Sequence, residues 1–300
     1  MKPVTFWSEG TRLAGDLYSP PDLLPGEKRP AIVLCHGWGG TKDHLAATGL
    51  PQRIADAGYV VLAFDYRGWG GSDGKLVALD PLPKERIEAS VRVQVIREVV
   101  DPFDEVWDIR HALDFIEGEP GVDPQRLGLW GSSYGGGLVV WMAAHDDRVR
   151  CVVSQVAPQD SRALGLPQTL ASAREAIHRL AIQQARGEIE PVPQSGDAAQ
   201  GLRGTPHLAK MYYFAPIEFA EQVTVPVLLI DAEHEELFDR HQHSEALFTR
   251  MAAAGRAPAR YEVVPGISHY GIYAEKVEES ARLAMEWFNA HLGAGDGRTM

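Results

Sequence analysis

Cysteine is scarce in this chain, with only Cys35 and Cys151 among 300 residues. Two thiols provide neither the spacing of a zinc site nor the framework of a disulfide-rich secreted domain. Both lie within apolar runs, where a free thiol packs as a small hydrophobic side chain. We therefore predict two buried, unreactive thiols in a reducing compartment, although a disulfide between them would also fit the count.

Positive charge and long apolar segments are scarce as well. The chain has 29 Lys and Arg against 41 Asp and Glu, a net charge of −12, and no basic stripe. This charge repels nucleic-acid phosphates and anionic lipid, so neither nucleic acid nor a membrane is expected as a partner. The N-terminal residues contain no apolar signal-peptide core, and glycines and serines interrupt the most apolar window, residues 127–144. We expect a cytoplasmic protein.

Nucleotide and metal motifs are missing too. No G-x-G-x-x-G occurs, and the glycine-rich run 36–40 is not followed by the Gly-Lys-Ser/Thr of a P-loop. The pair His241-x-His243 has no third ligand nearby, which argues against a metal site. We expect no cofactor and no metal. A homodimer is compatible with the composition, which is that of an ordinary globular protein with 45% hydrophobic and 23% charged residues.

Continuous apolar runs alternate with helical patterns over most of the chain. Runs without polar alternation are typical of strands buried on both faces of a parallel sheet. Strand–helix alternation predicts an α/β fold with helices on both faces, and residues 4–18 predict an N-terminal antiparallel hairpin. The runs are 31–35, 59–64, 126–130, 149–156, 226–230 and 261–264, and the helical patterns are 44–57, 102–117, 133–145, 239–254 and 274–292.

Two excursions break this alternation. Residues 157–222 contain no convincing strand, but they hold an amphipathic helix near 168–184 and a polar Pro/Gly stretch at 187–204. They predict a helical cap over the carboxyl edge of the sheet, inserted into a core made of residues 1–156 and 223–300. The second excursion, residues 75–100, is also predicted to contain a helix after Pro81 and Pro83.

The pentapeptide Gly131-Ser132-Ser133-Tyr134-Gly135 fits the pattern G-x-S-x-G between a predicted strand and a predicted helix. A strand that turns sharply into a helix carries the serine at a strained tip, and its close neighbours must have no side chain. The helix N-terminus then places backbone N–H groups beside the serine, where they favour negative charge. Ser133 is therefore the predicted nucleophile.

A serine hydroxyl needs a base, and the base needs an acid that orients it. His269 follows the last predicted strand, at the sheet edge where such folds bind ligands, and it is the predicted base. The strand that ends at Ile230 runs into a loop with several carboxylates. Glu235 is preferred as the acid because the loop can bend back from there, and Glu236 and Asp231 remain alternatives.

The tetrahedral intermediate of acyl transfer needs two backbone N–H donors. Tyr134, the residue after the nucleophile, is predicted to supply one, and Trp38 in the loop after the first long strand the other, with Gly37 in reserve. The aromatic residues Tyr212, Tyr213 and Phe214 could line an acyl pocket, or they could pack the insertion onto the core.

Taken together, these segments resemble the α/β-hydrolase superfamily, in its dienelactone-hydrolase-like and acyl-peptidase-like esterase branch. Residues 35–40 look like the family's H-G-x-x-G oxyanion loop, residues 65–74 like its D-x-R-G-x-G-x-S loop, and residues 121–131 like the lead-in to its nucleophile. The resemblance implies a carboxylic ester, thioester or amide substrate of small size, an acyl-enzyme and no metal. Where the family usually has Gly-x-x-Asp, this chain has Ala232-Glu233-His234-Glu235.

Three functions follow from these patterns. The first is a serine hydrolase of the carboxylesterase type. The second is a C–C bond or lactone hydrolase of a degradative pathway that uses the same machinery. The third is a hydrolase-fold protein that binds a ligand without turnover, against which the intact set of serine, histidine and acid argues.

Overall fold

The computed structural model describes residues 1–163, 170–193 and 202–293. Its main feature is an eight-stranded sheet in which the second strand runs antiparallel to both of its neighbours and all other neighbouring strands are parallel. The order across the sheet is β1-β2-β4-β3-β8-β9-β11-β12. These strands are β1 Lys2–Ser8, β2 Thr11–Tyr18, β3 Arg29–Cys35, β4 Val60–Phe64, β8 Val122–Ser132, β9 Val149–Gln155, β11 Val227–His234 and β12 Ala259–Ser268.

Shorter elements complete the described chain. Four minor strands form two separate pairs: β5 Lys75–Ala78 with β6 Val93–Ile96, and β7 Val99–Val100 with β10 Thr205–Pro206. Three 3₁₀ helices cover Ser161–Ala163, Pro216–Gln222 and His269–Tyr273. The α-helices are α1 Lys42–Ala47, α2 Leu50–Asp56, α3 Pro102–Glu117, α4 Tyr134–His145, α5 Leu170–Ala185, α6 Leu208–Met211, α7 Ser244–Ala254 and α8 Val277–Leu292.

The sheet is buried on both faces because its central strands contain continuous apolar runs, such as Ala31–Cys35 in β3 and Val60–Phe64 in β4. Successive side chains of a strand point to opposite faces, so one continuous run feeds two cores. Val33 and Leu62 pack with α3, α4 and α7 on one face, whereas Leu34 and Val61 pack with α1, α2 and α8 on the other. This arrangement confirms the predicted α/β sandwich and its N-terminal hairpin.

One predicted helix is interrupted, and another is wrong. The pattern at 44–57 is split into α1 and α2, because Gly49 takes a left-handed conformation with φ 73° between them. The excursion at 75–100 contains no helix. Its residues 75–96 form the antiparallel hairpin β5–β6, because Val91, Val93 and Val95 alternate with polar residues at the period of a strand. We call residues 75–96 the hairpin arm.

The segment 157–222 contributes no strand to the main sheet in its described part, as predicted, although the two-residue strand β10 was not expected. Its helix α5 coincides with the predicted amphipathic helix, and residues 164–169 and 194–201 lie outside the described residues. The 3₁₀ helix Pro216–Gln222 buries Ile217 and Ala220 in the core beside α4 and α7. The assignment of the whole segment as a cap stays a prediction.

Candidate active site

Ser133 stands at a strained corner between β8 and α4. Its backbone has φ 54° and ψ −128°, a conformation that costs a non-glycine residue free energy and is usually held by the surrounding structure. Here the Ser133 N–H donates to the carbonyl of Gln155 on the neighbouring strand at 2.8 Å. The sharp strand-to-helix turn predicted from the pentapeptide is therefore present.

The glycines around this corner are required by backbone contacts. A Cβ on Gly131 would lie 2.2 Å from the carbonyl oxygen of Gly135, and a Cβ on Gly135 would lie 2.4 Å from the carbonyl oxygens of Cys35 and His36. These distances are far below van der Waals contact, and backbone atoms cannot rotate away. The close approach brings the end of β3, and the glycine-rich loop after it, against the nucleophile corner.

The imidazole of His269 lies between Ser133 and Glu235. His269 Nε2 is 3.1 Å from Ser133 Oγ, and Nδ1 is 2.8 Å from Glu235 Oε2. The side chains of His269 and Glu235 are almost completely buried. With its proton on Nδ1 donated to the carboxylate, the imidazole presents an unprotonated Nε2 to the serine hydroxyl. The three residues predicted from the sequence thus form one hydrogen-bonded chain.

The two alternative acids occupy different positions. Glu236 accepts a hydrogen bond from the backbone N–H of His269 at 2.8 Å, so it holds the main chain and leaves the ring to Glu235. Asp231 accepts hydrogen bonds from Ser244 Oγ and Tyr261 OH, both at 3.0 Å. Of the three candidates, Glu235 is the one whose carboxylate contacts the imidazole.

A third glutamate joins the same two loops. Glu233 accepts a hydrogen bond from the Gly266 N–H at 2.8 Å. Together with Glu235 and Glu236, it connects the loop after β11 to the loop that carries His269. We call these three contacts the glutamate clamp. Glu235 and Glu236 were predicted as alternatives for one role, whereas they and Glu233 each hold a different point of the histidine loop.

Asp231 is fully buried beneath the clamp, and burial raises its pKa to about 7. Because the usual aspartate pKa is about 3.9, the folded protein holds this proton more tightly than the unfolded chain between about pH 4 and 7. Below about pH 4, this proton makes its full contribution to the free energy of unfolding. The contribution is lost as the pH rises through 7. While Asp231 is protonated, it places no second negative charge near Glu235.

We therefore expect Asp231→Asn to flatten the pH dependence of stability. Relative to the variant, the wild type should lose about 2–4 kcal/mol of unfolding free energy between pH 4 and pH 8, the value of a shift of two to three pKa units. Urea unfolding at a series of pH values measures this difference. Asp56→Asn, at an exposed carboxylate, is the control. Parallel pH curves for the wild type and Asp231→Asn would contradict the expectation.

The predicted oxyanion donors flank the nucleophile. Tyr134 is the first residue of α4, so its N–H has no partner within the helix. In the loop after β3, a Cβ on Gly37 would lie 2.9 Å from Ser133 Cβ. The next residue, Trp38, places its ring 5.7 Å from that of Tyr134. The loop and the helix N-terminus therefore meet at the serine, and the role of Trp38 and Tyr134 as donors stays a prediction.

His36 supports this loop from inside. Its Nδ1 is 3.0 Å from the carbonyl oxygen of Gly37, and burial lowers its pKa to about 4. The imidazole is consequently neutral at physiological pH and donates from Nδ1. Asp65 braces the other end of the loop, since its carboxylate accepts the N–H of Lys42 at 2.7 Å and that of Gly71 at 2.9 Å.

Tyr273 is a neighbour of the site that sequence reasoning missed. Its hydroxyl lies 2.7 Å from Ser132 Oγ, which also accepts from Gln155 Nε2 at 3.1 Å. The tyrosine is one turn beyond His269, in the 3₁₀ helix His269–Tyr273, and the two rings are 6.1 Å apart. In the sequence, the sign of this role was the position of Tyr273 four residues after the predicted base.

The inserted segment contacts the core in two places. At its start, the backbone N–H groups of Gln159 and Asp160 donate to Nδ1 of buried His243 at 3.0 and 3.2 Å. Farther along the segment, the carbonyl of Arg203 approaches Gly39 in the loop after β3. His243, the second histidine of the pair His241-x-His243, is therefore a hydrogen-bond acceptor for main-chain amides.

The three aromatic residues predicted as pocket lining have different surroundings. Phe214 is buried in the core, with its ring 6.0 Å from Phe103 and 6.4 Å from Trp141. Tyr213 is 76% exposed, and Tyr212 is half-buried with its ring 5.5 Å from that of Tyr213. Phe214 thus packs the insertion onto the core, and contact of the set with substrate stays a prediction.

Two further properties concern the described residues only. Within them, no cluster of three or more His, Cys, Asp or Glu side chains is arranged to hold a metal ion. Among their helices, none has the length and apolar character needed to cross a lipid bilayer. Cys35 and Cys151 are both buried free thiols, and burial raises the pKa of each.

Relatives of known and unknown function resemble this chain. An uncharacterized 31.7 kDa protein of Escherichia coli is 28% identical over 88% of this chain and 92% of its own length. The thiohydrolase aneE of Aspergillus aculeatus is 31% identical over 49% of this chain and 38% of its own length. The structure of Est1E from Butyrivibrio proteoclasticus with bound ferulic acid superposes with a TM-score of 0.67 at 18% identity, covering 95% of this chain and 98% of that one.

A family model matches the chain directly. The model for the alpha/beta hydrolase fold matches residues 30–188, just over half of the sequence, and these residues include β3, β4, β8 and the serine corner. The sheet topology, the strand-to-helix corner at Ser133 and the match to the family model all indicate the same fold. The chain belongs to the α/β-hydrolase family.

Proposed function

We propose that this protein is a serine hydrolase that cleaves a carboxylic ester, or a related thioester or amide, of a small molecule through an acyl-enzyme. One observation carries the proposal: the buried hydrogen-bonded chain from Ser133 through His269 to Glu235. The same order of contacts activates serine nucleophiles on several unrelated folds.

The reaction follows from that geometry. Ser133 Oγ attacks the carbonyl carbon of the substrate as His269 Nε2 accepts the hydroxyl proton. Glu235 remains ionised and holds the imidazolium through Nδ1, while the N–H groups of Tyr134 and Trp38 stabilise the oxyanion. Collapse of the tetrahedral intermediate breaks the bond to the leaving group, which takes the proton from His269. Water then hydrolyses the acyl-enzyme by the same steps in the second half-reaction.

The segment 157–222 acts in this proposal as a cap that selects the substrate. Its support comes from two contacts with the core, at His243 and at Gly39, the second of which lies in the glycine-rich loop beside Ser133. The relatives widen the range of acyl groups to be tested, since one is called a thiohydrolase and another holds ferulic acid. We therefore propose p-nitrophenyl esters of increasing chain length, a feruloyl ester and acyl thioesters as the substrate panel.

A fluorophosphonate probe tests the proposal without knowledge of the substrate. We expect one covalent adduct per chain by intact mass, located on Ser133 by peptide mapping, because the probe reacts with serines activated by a base. Ser133→Ala should not be labelled, whereas Ser132→Ala, the adjacent serine, should be. Failure of the folded wild type to form an adduct would overturn the serine-hydrolase proposal and favour a ligand-binding protein.

A further inference from the structure

Two hydrogen bonds join the corner that carries the nucleophile to the 3₁₀ helix His269–Tyr273. In the first, Ser133 Oγ lies 3.1 Å from His269 Nε2, and in the second, the hydroxyl of Tyr273 lies 2.7 Å from Ser132 Oγ. The two serines are adjacent in the corner, and the histidine and the tyrosine belong to the same short helix. The first bond carries the proton in the proposed reaction, whereas the second contains no reacting atom.

Both ends of the second bond are held by the surrounding structure. Ser132 is buried, and its Oγ also lies 3.1 Å from Nε2 of Gln155, whose carbonyl accepts the Ser133 N–H at 2.8 Å. The ring of Tyr273 packs against the core on the α8 face of the sheet. Burial raises the pKa of Tyr273, so the phenol keeps its proton at physiological pH. The bond therefore joins two neutral hydroxyl groups in fixed positions.

The glutamate clamp fixes a different part of the histidine loop. Its three side chains belong to the end of β11 and the loop after it, so they set the imidazole relative to the acid. The nucleophile stands at the end of β8, and β9 separates that strand from β11. The position of the base relative to the serine corner depends instead on contacts between the corner and the 3₁₀ helix, and the bond between Ser132 and Tyr273 is one of these.

The two bonds have different fates in the proposed reaction. Once Ser133 is acylated, its Oγ is an ester oxygen with no proton to donate, so its hydrogen bond to His269 Nε2 is lost. In the second half-reaction, water adds to the acyl carbonyl as Nε2 accepts a proton from it. The bond to Ser133 Oγ then breaks, and that oxygen takes the proton. Acylation does not alter Ser132 or Tyr273, so their bond persists when the first bond is absent.

We propose that Tyr273 is a positioning residue for deacylation, and that its hydrogen bond to Ser132 keeps His269 aligned with the acylated serine. This inference rests on the proposed serine-hydrolase function. The phenol acts through Ser132 and has the effect of one neutral hydrogen bond, which is about 2–10-fold in a rate. The effect falls mainly on hydrolysis of the acyl-enzyme, because the first half-reaction begins with the bond between Ser133 and His269 in place.

Two rate constants measured on the full chain test this inference. The rate constant of fluorophosphonate labelling reports attack by Ser133, and the decay of the acyl-enzyme formed from a p-nitrophenyl ester, followed by quenched-flow intact mass, reports deacylation. Tyr273→Phe keeps the ring and removes only the hydroxyl. We expect it to slow deacylation by about 5-fold and labelling by less than about 2-fold. A purely structural defect would instead reduce the fraction of active protein and leave both rate constants unchanged.

Tyr270→Phe is the matched control. It removes a phenol hydroxyl from the same helix, and the ring of Tyr270 is closer to that of His269, at 5.2 Å, than the ring of Tyr273, at 6.1 Å. The side chain of Tyr270 is 53% exposed, so both rate constants should stay at the wild-type values. Ser132→Ala removes the other half of the bond and should slow deacylation as much as Tyr273→Phe does. The double variant should be no slower than either single variant, because the two residues share one interaction.

The possible results separate this inference from the proposed function. A deacylation rate constant of Tyr273→Phe equal to that of the wild type would overturn the inference. An equal loss in both rate constants, or the same loss in Tyr270→Phe, would overturn it as well. A folded wild type that is neither labelled nor acylated would overturn the serine-hydrolase proposal and this inference together. Circular dichroism and thermal unfolding establish that each variant is folded at the temperature of the measurements.

Discussion

Replacement of Ser133 by alanine is expected to lower kcat for ester hydrolysis by about 10³-fold or more, with the fold retained. The hydroxyl supplies the attacking atom, and no other nucleophile occupies its place at the corner. Stability should change little, because the strained backbone is fixed by the Gln155 carbonyl and by the surrounding glycines. Steady-state kinetics with the best ester of the panel, together with a thermal unfolding curve, measure both effects.

Ser132→Ala is the matched control for this variant. Ser132 is buried and binds Tyr273 and Gln155, so its loss should lower stability while kcat stays within about tenfold of the wild type. The double variant Ser133→Ala/His269→Ala should be no slower than Ser133→Ala alone, since residues that act as a unit are not additive. Near-normal turnover by Ser133→Ala would remove the assignment of the nucleophile.

The second large effect concerns the acid. Glu235→Gln is expected to lower kcat by about 10³–10⁴-fold with little change in KM, because an amide neither fixes the tautomer of His269 nor stabilises the imidazolium. Glu236→Gln should cost much less, since an amide oxygen can still accept the His269 N–H. Both variants replace a carboxylate with an amide, at adjacent positions. Comparing them therefore distinguishes the contact with the imidazole ring from the contact with the backbone. A crippled Glu236→Gln beside an active Glu235→Gln would reverse the assignment.

The sheet could be predicted from the sequence because its strands are buried on both faces. Such strands contain continuous apolar runs, as in Ala31–Cys35, and these runs alternate with helical patterns along the chain. The serine corner was predictable for a similar reason, since a strand, a glycine-flanked serine and a helix follow one another within a short stretch. In both cases, the pattern that predicts the structure lies within a short stretch of the sequence.

The choice of the acid was not predictable in this way. Asp231, Glu235 and Glu236 lie within six residues, and the bend of the loop after β11 determines which carboxylate reaches the imidazole. That bend depends on contacts with the histidine loop, such as the bond from Gly266 N–H to Glu233. The prediction of a helix in the hairpin arm was also wrong. The charged residues at its tip precede a short apolar–polar alternation in its second strand, which makes that strand difficult to recognise in the sequence.

The glutamate clamp has a consequence for the timing of catalysis. Three side chains fix the histidine loop at its turn, at its main chain and at its ring, and none of the three contacts involves a substrate. In the proposed mechanism, the base is therefore oriented during folding, and the free-energy cost of its alignment does not recur with each turnover.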